Sequence, residues 1–368
     1  MSNKNSLQQD NNFKYLSDLG WSSHFQTQLK RFDKNSFFPA RVTGVRKRYF
    51  FINDGKKEIL ATPAGKLQQE NSSTYPVVGD WVLVRQTAIE GILSRKNALT
   101  RGAAGLHSRK TGEYREQTIA ANLDSVFIVT GLDRDFNLRR LERYLTLVYN
   151  CGLTPVIILT KGDLHQDPEH FVNEAESIAF GVPVHLVSAF NDSGLSELTP
   201  YLVHGRTSVM VGSSGTGKST LINRLCGENV QATGEVSASV GKGTHTTTSR
   251  DLIMMPQGGM IIDNPGIREI SFWDIDQGVE STFPEIEEFA AGCRFSDCTH
   301  AHEPGCRVLQ AVQEGELTEA RLENYLKMKR ELEYISARKN KSADRVEKER
   351  WRDVSMKIKS INKKKSFE

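Results

Sequence analysis

Short apolar runs separated by turn residues fill the chain from residue 37 to about residue 100. The runs PARVTGV, YFFIN, KEILAT, DWVLV and EGILS are rich in β-forming residues and are broken by Gly, Pro and Asn-Asp-Gly. A series of short strands like this is typical of a small barrel or sandwich. We therefore predict an N-terminal five-stranded, OB-type β-barrel over residues 37–100.

The pattern changes at Asn122, after which apolar strands alternate with amphipathic helical segments. The runs LDSVFIVT, TPVIILT, VPVHLVSA and RTSVMVG have the character of buried strands, and helical stretches such as LRRLERYLTLVYNCG lie between them. Such alternation indicates a largely parallel sheet with helices on both faces. An α/β domain is predicted over residues 122–274.

The remaining segments are assigned from their polarity. Residues 1–36 are polar with few apolar positions and are predicted to form a flexible arm. Residues 101–121, which include RGAAGLHSRKTGEYRE, are predicted to be a basic linker. Residues 275–368 are predicted to form a helical C-terminal domain that contains a Cys/His cluster.

Charge is unevenly distributed along the chain. The net charge is +3, yet residues 321–368 contain 16 lysines and arginines against 8 acidic residues. This basic tail is either a solvated helical face or a surface for a phosphate-bearing partner such as RNA. No apolar run reaches the roughly 20 residues of a membrane helix. The first 20 residues also lack an apolar signal core, so a cytoplasmic protein is expected.

The segment GSSGTGKS at residues 212–219 fits the phosphate-binding pattern G-x-x-x-x-G-K-[S/T] between a strand and a helix. Its backbone N–H groups can point at phosphates, and the helix dipole adds to their attraction. Lys218 would contact the β- and γ-phosphates and contribute to catalysis. A glycine-rich turn without a ligand is the alternative. The predicted nucleotide contacts are Gly212, Ser213, Ser214, Gly215, Thr216, Gly217, Lys218, Ser219 and Thr220.

Two further loops are predicted to select the base. The motif Thr160-Lys161-Gly162-Asp163 follows the strand PVIILT, and Ser188-Ala189 follows the next strand. The carboxylate of Asp163 could accept the N1 and N2 hydrogens of guanine, a donor pair that adenine lacks. Each motif alone is weak, because Lys-Gly-Asp is ordinary turn chemistry. Both lie at the carboxyl ends of strands, where such sheets bind ligands, so guanine is the predicted base.

Residues 263–266, Asp-Asn-Pro-Gly, follow the strand GMIID. We predict that Asp263 holds Mg²⁺ through a water molecule, that the Ser219 hydroxyl ligates the ion, and that the Gly266 N–H contacts the γ-phosphate.

The loop GKGTHTTT at residues 241–248 is predicted to be a switch loop that responds to the γ-phosphate. One of Thr246, Thr247 and Thr248 is expected to ligate Mg²⁺, and Thr247 is our choice. Plain disorder is the alternative for this loop.

The order of these motifs resembles a known family. Ordinary GTPases run phosphate loop, switch threonine, D-x-x-G, [N/T]-K-x-D and S-A, whereas this chain runs TKGD, SA, GSSGTGKS, THTTT and DNPG. With a barrel ahead and a Cys/His cluster behind, the chain resembles the family of ribosome small subunit-dependent GTPase A, a circularly permuted GTPase. Three positions depart from the family's usual residues, with Thr160 in place of Asn, Asn264 in place of Thr and Thr216 in place of Val.

The resemblance implies a monomeric GTPase that converts GTP to GDP and phosphate while bound to the small ribosomal subunit and its rRNA, late in assembly. Ile267 occupies the position where small GTPases usually place a water-orienting Gln. We therefore predict slow unaided turnover. His245 in the switch loop is the candidate catalytic residue, although a lone His is often structural. The alternatives are a nucleotide-switched RNA-binding module with negligible turnover, and a P-loop kinase or ATPase.

Three of the five cysteines lie within 14 residues, beside two histidines. Cys293, Cys298, His300 and Cys306 make a Cys₃His set suited to structural tetrahedral zinc. His302 competes with His300, and the resemblance favours His300. Free thiols are the alternative.

The barrel carries a mixture of basic and aromatic residues that is typical of RNA-binding faces. The stretch concerned comprises Arg46, Lys47, Arg48, Tyr49 and Phe50. An ordinary barrel rim with core aromatic residues is the alternative.

Overall fold

The computed structural model describes residues 11–32, 37–46, 49–65, 67, 75–102, 116–230, 250–263 and 277–340. Among these residues, no helix combines the length and the apolarity needed to cross a membrane.

The first described unit is a closed five-stranded barrel. Strand β1 pairs with both β2 and β4, while β3 runs parallel to β5, so the order around the barrel is β1-β2-β3-β5-β4 and back to β1. This is the Greek-key arrangement of an OB-type barrel, and the predicted barrel is confirmed. Its interior is filled by alternate apolar residues such as Val42, Phe50 and Ile52. The strands are β1 (Phe38–Arg46), β2 (Tyr49–Asn53), β3 (Glu58–Pro63), β4 (Trp81–Arg85) and β5 (Ala88–Ile92).

Two of the residues considered for RNA contact have structural roles. Phe50 is fully buried in the barrel, and Arg46 forms an ion pair with Asp251 while its guanidinium lies over the Phe51 ring. Tyr49 is about half exposed, at 51%. Lys47 and Arg48 lie outside the described residues. The alternative of a core aromatic is therefore correct for Phe50.

The predicted N-terminal arm is wrong for residues 11–32. A 3-10 helix (Asn11–Leu19) and helix α1 (Ser23–Leu29) pack on the barrel and bury Leu16, Phe25 and Leu29. Helical spacing of the few apolar side chains explains this packing, because it places them on one face. A barrel residue, Trp81, completes that small core.

The predicted linker over 101–121 is too long at both ends. Strands β6 (Ala98–Gly102) and β7 (Glu116–Ala121) form an antiparallel hairpin, and residues 103–115 lie outside the described residues. Strand β7 is stable because Ile119, Ala120 and Ala121 are buried. Its sequence, Glu-Gln-Thr-Ile-Ala-Ala, has one large apolar residue, so the apolar pattern is too weak to predict a strand.

The predicted α/β domain is present and has a six-stranded sheet in the order β10-β9-β8-β11-β13-β12. All neighbours are parallel except β12, which runs antiparallel to β13. The strands are β8 (Ser125–Gly131), β9 (Pro155–Thr160), β10 (Val184–Leu186), β11 (Thr207–Val211), β12 (Arg250–Met254) and β13 (Met260–Asp263). The accompanying helices are α2 (Leu138–Asn150), α3 (Glu169–Ile178) and α4 (Lys218–Cys226).

The described part of the C-terminal region is helical, as predicted. It contains α5 (Gln277–Thr282), α6 (Pro284–Ala290), α7 (Arg307–Glu314) and α8 (Glu319–Asn340). Helix α5 packs on α2. The buried carboxylate of Glu142 in α2 accepts hydrogen bonds from Arg321 and Asn324 of α8. Burial raises the pKa of Glu142, and the Arg321 guanidinium opposes that shift.

The barrel and the sheet are joined through β1. Its end pairs with β12, at Gly44 with Asp251 and at Val45 with Arg250. Nearby, the buried guanidinium of Arg41 donates hydrogen bonds to three backbone carbonyls from different segments: Leu19, Gly79 (3.3 Å) and Asn122 (3.2 Å). Burial lowers the pKa of Arg41 to about 10, so it remains charged at neutral pH.

Replacing Arg41 by Met should lower the free energy of unfolding by about 3 kcal/mol, because three buried carbonyls lose a charged donor. The melting temperature should fall by several degrees in thermal unfolding at pH 7. Exposed Arg206, whose substitution should change stability by less than about 0.5 kcal/mol, supplies the control variant Arg206→Met. Equal melting temperatures for the two variants would contradict the proposed role of Arg41.

Candidate nucleotide and metal sites

Four motif segments meet at one edge of the sheet. Strands β9, β10, β11 and β13 are parallel, so the TKGD motif, Ser188, the phosphate loop and Asp263 all lie at their carboxyl ends. This edge is where open α/β sheets bind ligands.

The phosphate loop has the backbone that its glycines allow. Gly212 has φ of 147° and Gly217 has φ of 88°, in the left-handed region that favours glycine. A Cβ on Gly212 would lie 2.2 Å from the carbonyl oxygen of Val129. Helix α4 then begins at Lys218, so its N-terminus faces the concave side of the loop.

Lys218 is buried beneath this loop. Its ammonium group donates to the carbonyls of Gly212 (2.8 Å) and Ser213. Burial lowers the pKa of Lys218 to about 8, and the carboxylates of Asp263 and Asp135 oppose the shift. A positive charge held here with little hydration favours binding of a polyphosphate.

The TKGD motif is bonded to the phosphate loop. The Thr160 hydroxyl donates to the Thr216 carbonyl at 2.6 Å, and the Lys161 ammonium donates to the Gly215 carbonyl at 2.6 Å. Lys161 also forms an ion pair with Asp133, 2.6 Å away, and this interaction lowers the Asp133 pKa. Thr160 thus makes a loop-to-loop hydrogen bond at the position where the family usually has Asn.

The Ser188 hydroxyl donates to the carboxylate of Asp163, which connects the two loops predicted to read the base. Ser188 is buried and Asp163 is exposed, so the carboxylate remains accessible from solvent. Ala189 follows Ser188 at a half-buried position.

Asp263 is the buried acidic group of the site, with 2% of its surface exposed. Its Oδ2 atom has no hydrogen-bond partner among the described residues. Burial raises the Asp263 pKa to about 6, Lys218 opposes the shift and Asp251 adds to it. A buried carboxylate oxygen without a partner, at the end of the strand beside the phosphate loop, fits a role in holding Mg²⁺. His245, Thr247 and Gly266, also predicted for this site, lie outside the described residues.

The predicted metal ligands come together. The ligand atoms of Cys293, Cys298, His300 and Cys306 all lie within 4.8 Å of one another. The distances are 3.8 Å between the Sγ atoms of Cys293 and Cys306, and 3.6 and 3.5 Å from these atoms to Nδ1 of His300. Tetrahedral zinc with ordinary bond lengths requires about 3.8 Å between two sulfurs and about 3.5 Å between sulfur and nitrogen. The group therefore has the chemistry and the spacing to hold Zn²⁺.

His300, and not His302, lies with the three cysteines. His300 is buried and has φ of 57°, whereas His302 is exposed. Glu303 stabilises this turn, because its carboxylate accepts hydrogen bonds from the amides of Thr299 (3.1 Å) and Ala301 (3.1 Å). Hydrogen bonds from the Thr299 hydroxyl and the His302 amide hold the Glu303 pKa far below its usual range.

The sequence prediction missed three residues of these sites. Asp133 and Arg140 contact the predicted nucleotide loops, and Glu303 stabilises the turn that carries His300. Asp133 could have been found from its position just after a buried strand. The other two have no distinctive signal in the sequence.

A barrel followed by an α/β sheet, with the predicted base-reading loops before the phosphate loop, is the arrangement of the class of circularly permuted GTPases. The family model of the RsgA GTPase matches residues 92–273. The small ribosomal subunit biogenesis GTPase RsgA of Opitutus terrae is 42% identical over 356 residues, which cover 92% of this chain and 95% of that protein. The chain belongs to the RsgA GTPase family.

Solved structures agree with this assignment. YjeQ from Thermotoga maritima is 30% identical with a TM-score of 0.58, and the match covers 80% of this chain and 98% of that one. YloQ, described as a circularly permuted GTPase, is 25% identical with a TM-score of 0.54, over 81% of this chain and 95% of that one.

Neutralising Asp263 should stabilise the protein in the absence of nucleotide and Mg²⁺. Its folded-state pKa of about 6 exceeds the usual value of 3.8, so the folded state binds the Asp263 proton more tightly than the unfolded state does. The stability that comes from this proton is fully present below pH 3.8 and is lost as the pH rises through 6. At pH 7.5, Asp263→Asn should therefore increase the free energy of unfolding by up to about 3 kcal/mol and raise the melting temperature. The increase should be smaller at pH 5.

The same variant should lose the additional stabilisation that Mg²⁺ and GTP together give to the native protein. Exposed Asp167 supplies the control, since Asp167→Asn should change neither property. A lower melting temperature for Asp263→Asn at pH 7.5 would contradict the assigned electrostatics.

Purified protein should contain about one zinc ion per chain by elemental analysis. Cys298→Ser should lose the ion, because three ligands no longer fill a tetrahedral site. Cys226, a half-buried residue outside the cluster, provides the control variant Cys226→Ser, which should retain it. Equal zinc content in the two variants would exclude the Cys₃His assignment.

Proposed function

We propose that the chain hydrolyses GTP to GDP and phosphate on the small ribosomal subunit, late in subunit assembly. The observation that carries this proposal is the placement of Asp163, the phosphate loop and Asp263 at one sheet edge. The names of the similar proteins, which describe small ribosomal subunit biogenesis, support the biological setting.

We assign the parts of GTP to particular groups of the protein. Lys218 and the backbone N–H groups of residues 212–219 would hold the phosphates, and the Asp163 carboxylate would accept the guanine N–H donors. The contacts of Thr160 and Lys161 with the phosphate loop keep base recognition and phosphate binding in a fixed relation. The other proposed nucleotide contacts are Gly162, Ser188, Ala189, Thr220 and Gly266.

Ser219, Asp263 and Thr247 are the residues that we assign to Mg²⁺. The bound ion would neutralise charge on the phosphate oxygens. His245 is assigned to orient the attacking water, since Ile267 has no group that can do so. Slow intrinsic turnover, accelerated when the ribosomal subunit orders the switch loop, follows from this assignment.

The regions outside the nucleotide site are assigned to contacts with the small ribosomal subunit. We propose that the barrel, the zinc-bearing region and the basic tail contact rRNA, and that the protein acts as a cytoplasmic monomer. The half-exposed Tyr49 keeps an aromatic group at the barrel surface. A structural Zn²⁺ held by Cys293, Cys298, His300 and Cys306 would fix the shape of the C-terminal region.

Phosphate release should be measured with and without small ribosomal subunits. We expect slow release that the subunits accelerate, and loss of the stimulated rate in His245→Ala with retention of GTP binding. Negligible release in both conditions would favour the alternative of a nucleotide-switched binding module.

Base selection should depend on Asp163. Asp163→Asn should weaken GTP binding by about 100-fold, because two hydrogen bonds to a carboxylate are lost, and should improve binding of xanthosine triphosphate. Titration with fluorescent nucleotides measures both, and Asp167→Asn is the matched control. Preference of the native protein for ATP would instead favour a kinase or ATPase.

A further inference from the structure

Two side chains of helix α2 contact the phosphate loop. Nη1 of Arg140, in the first turn of α2, donates a hydrogen bond to the Ser213 hydroxyl at 2.6 Å and also contacts a carboxylate oxygen of Asp135. Ser213 is the second residue of the phosphate loop. Tyr144, one turn further along α2, also hydrogen-bonds Ser213.

Ser213 borders the part of the loop that Lys218 contacts. The Ser213 carbonyl accepts hydrogen bonds from the Lys218 ammonium and from the Thr216 hydroxyl at 3.1 Å. Because the lysine of a phosphate loop contacts the β- and γ-phosphates, Ser213 is bonded to the group that would bind those phosphates.

Asp135 places a carboxylate near the same group. Burial lowers the pKa of the Lys218 ammonium, and the charge of Asp135 opposes that shift. The Oδ2 atom of Asp135 lies 3.4 Å from the Thr130 hydroxyl. The Asp135 side chain is 19% exposed, so solvent screens its charge only in part. A carboxylate here repels polyphosphate unless a cation neutralises it, and Arg140 is bonded to it directly.

We propose that Arg140 is a positioning residue for the γ-phosphate: it holds Ser213 in place and neutralises Asp135, and it thereby favours GTP over GDP. The inference rests on the proposed nucleotide site. It assigns a role to a residue that belongs to none of the sequence motifs.

The two actions of Arg140 make different predictions. Positioning of Ser213 alone would affect all nucleotides that occupy the loop to a similar extent. Neutralisation of Asp135 affects the nucleotide with the greater negative charge at the β/γ end more strongly, so the loss should be larger for GTP than for GDP.

Binding of fluorescent GTP and GDP analogues should be measured in Mg²⁺ buffer for Arg140→Met, Arg140→Lys, Asp135→Asn and the double variant. Arg140→Met should lose about tenfold in GTP affinity and clearly less in GDP affinity. Arg140→Lys should recover part of the loss. The double variant should regain most of the ratio of GTP to GDP affinity, because the repelling carboxylate is gone.

Arg139 offers a matched control on the same helix, since its exposed side chain pairs with exposed Glu323. Arg139→Met should leave both affinities unchanged. Equal losses of GTP and GDP affinity in Arg140→Met, or a double variant with no recovery of the ratio, would overturn the proposal. Failure of the native protein to bind guanine nucleotides would instead overturn the proposed function, so the two failures are distinguishable.

Discussion

The parallel alignment of β8, β9, β10, β11 and β13 is the constraint on which the sites of this protein depend. It brings to one edge loops that are separated by up to about 130 positions in the chain. Asp163 and Asp263 are 100 positions apart in sequence, yet both lie at the carboxyl ends of strands of the same sheet. Circular permutation changes the order of these loops along the chain and leaves their spatial arrangement unaffected, because the arrangement is set by strand neighbours and not by chain order.

Residues at this edge of the sheet lower the stability of the fold. Lys218 and Asp263 are both buried, and burial moves both pKa values toward neutrality, to about 8 and about 6. Gly212 adopts a backbone that a side chain could not share without contacting Val129. Groups with unfavourable burial persist where function needs them, and the cost is offset elsewhere. Here the offset comes from the large cores of the barrel and the sheet, and from the junction at Arg41.

Local patterns predicted much of this architecture. The β-rich runs, the alternation of strands and helices, and the spacing of the phosphate loop and of the cysteines all depend on neighbouring residues, and the structure contains each of these features. The packing of residues 11–32, strand β7 and the contact between Arg140 and Ser213 depend on partners far away in the chain. Such contacts leave little trace in a single sequence. The position of His300 beside the cysteines, with His302 exposed, likewise depends on the fold of the turn, which cysteine spacing does not specify.

Helix α2 connects the nucleotide site with the C-terminal region. Its first turn carries Arg140, which bonds the phosphate loop, and Glu142 follows two residues later in the buried network with Arg321. One turn further, the hydroxyl of Thr146 lies 3.0 Å from that of Thr282 in α5. One rigid element therefore contacts the phosphate loop at its start and the C-terminal helices along its length. In the permuted order the C-terminal region also follows β13 directly in the chain, so it is attached to the site twice, once covalently and once through α2. This double attachment gives the phosphate loop a direct physical connection to the C-terminal helices.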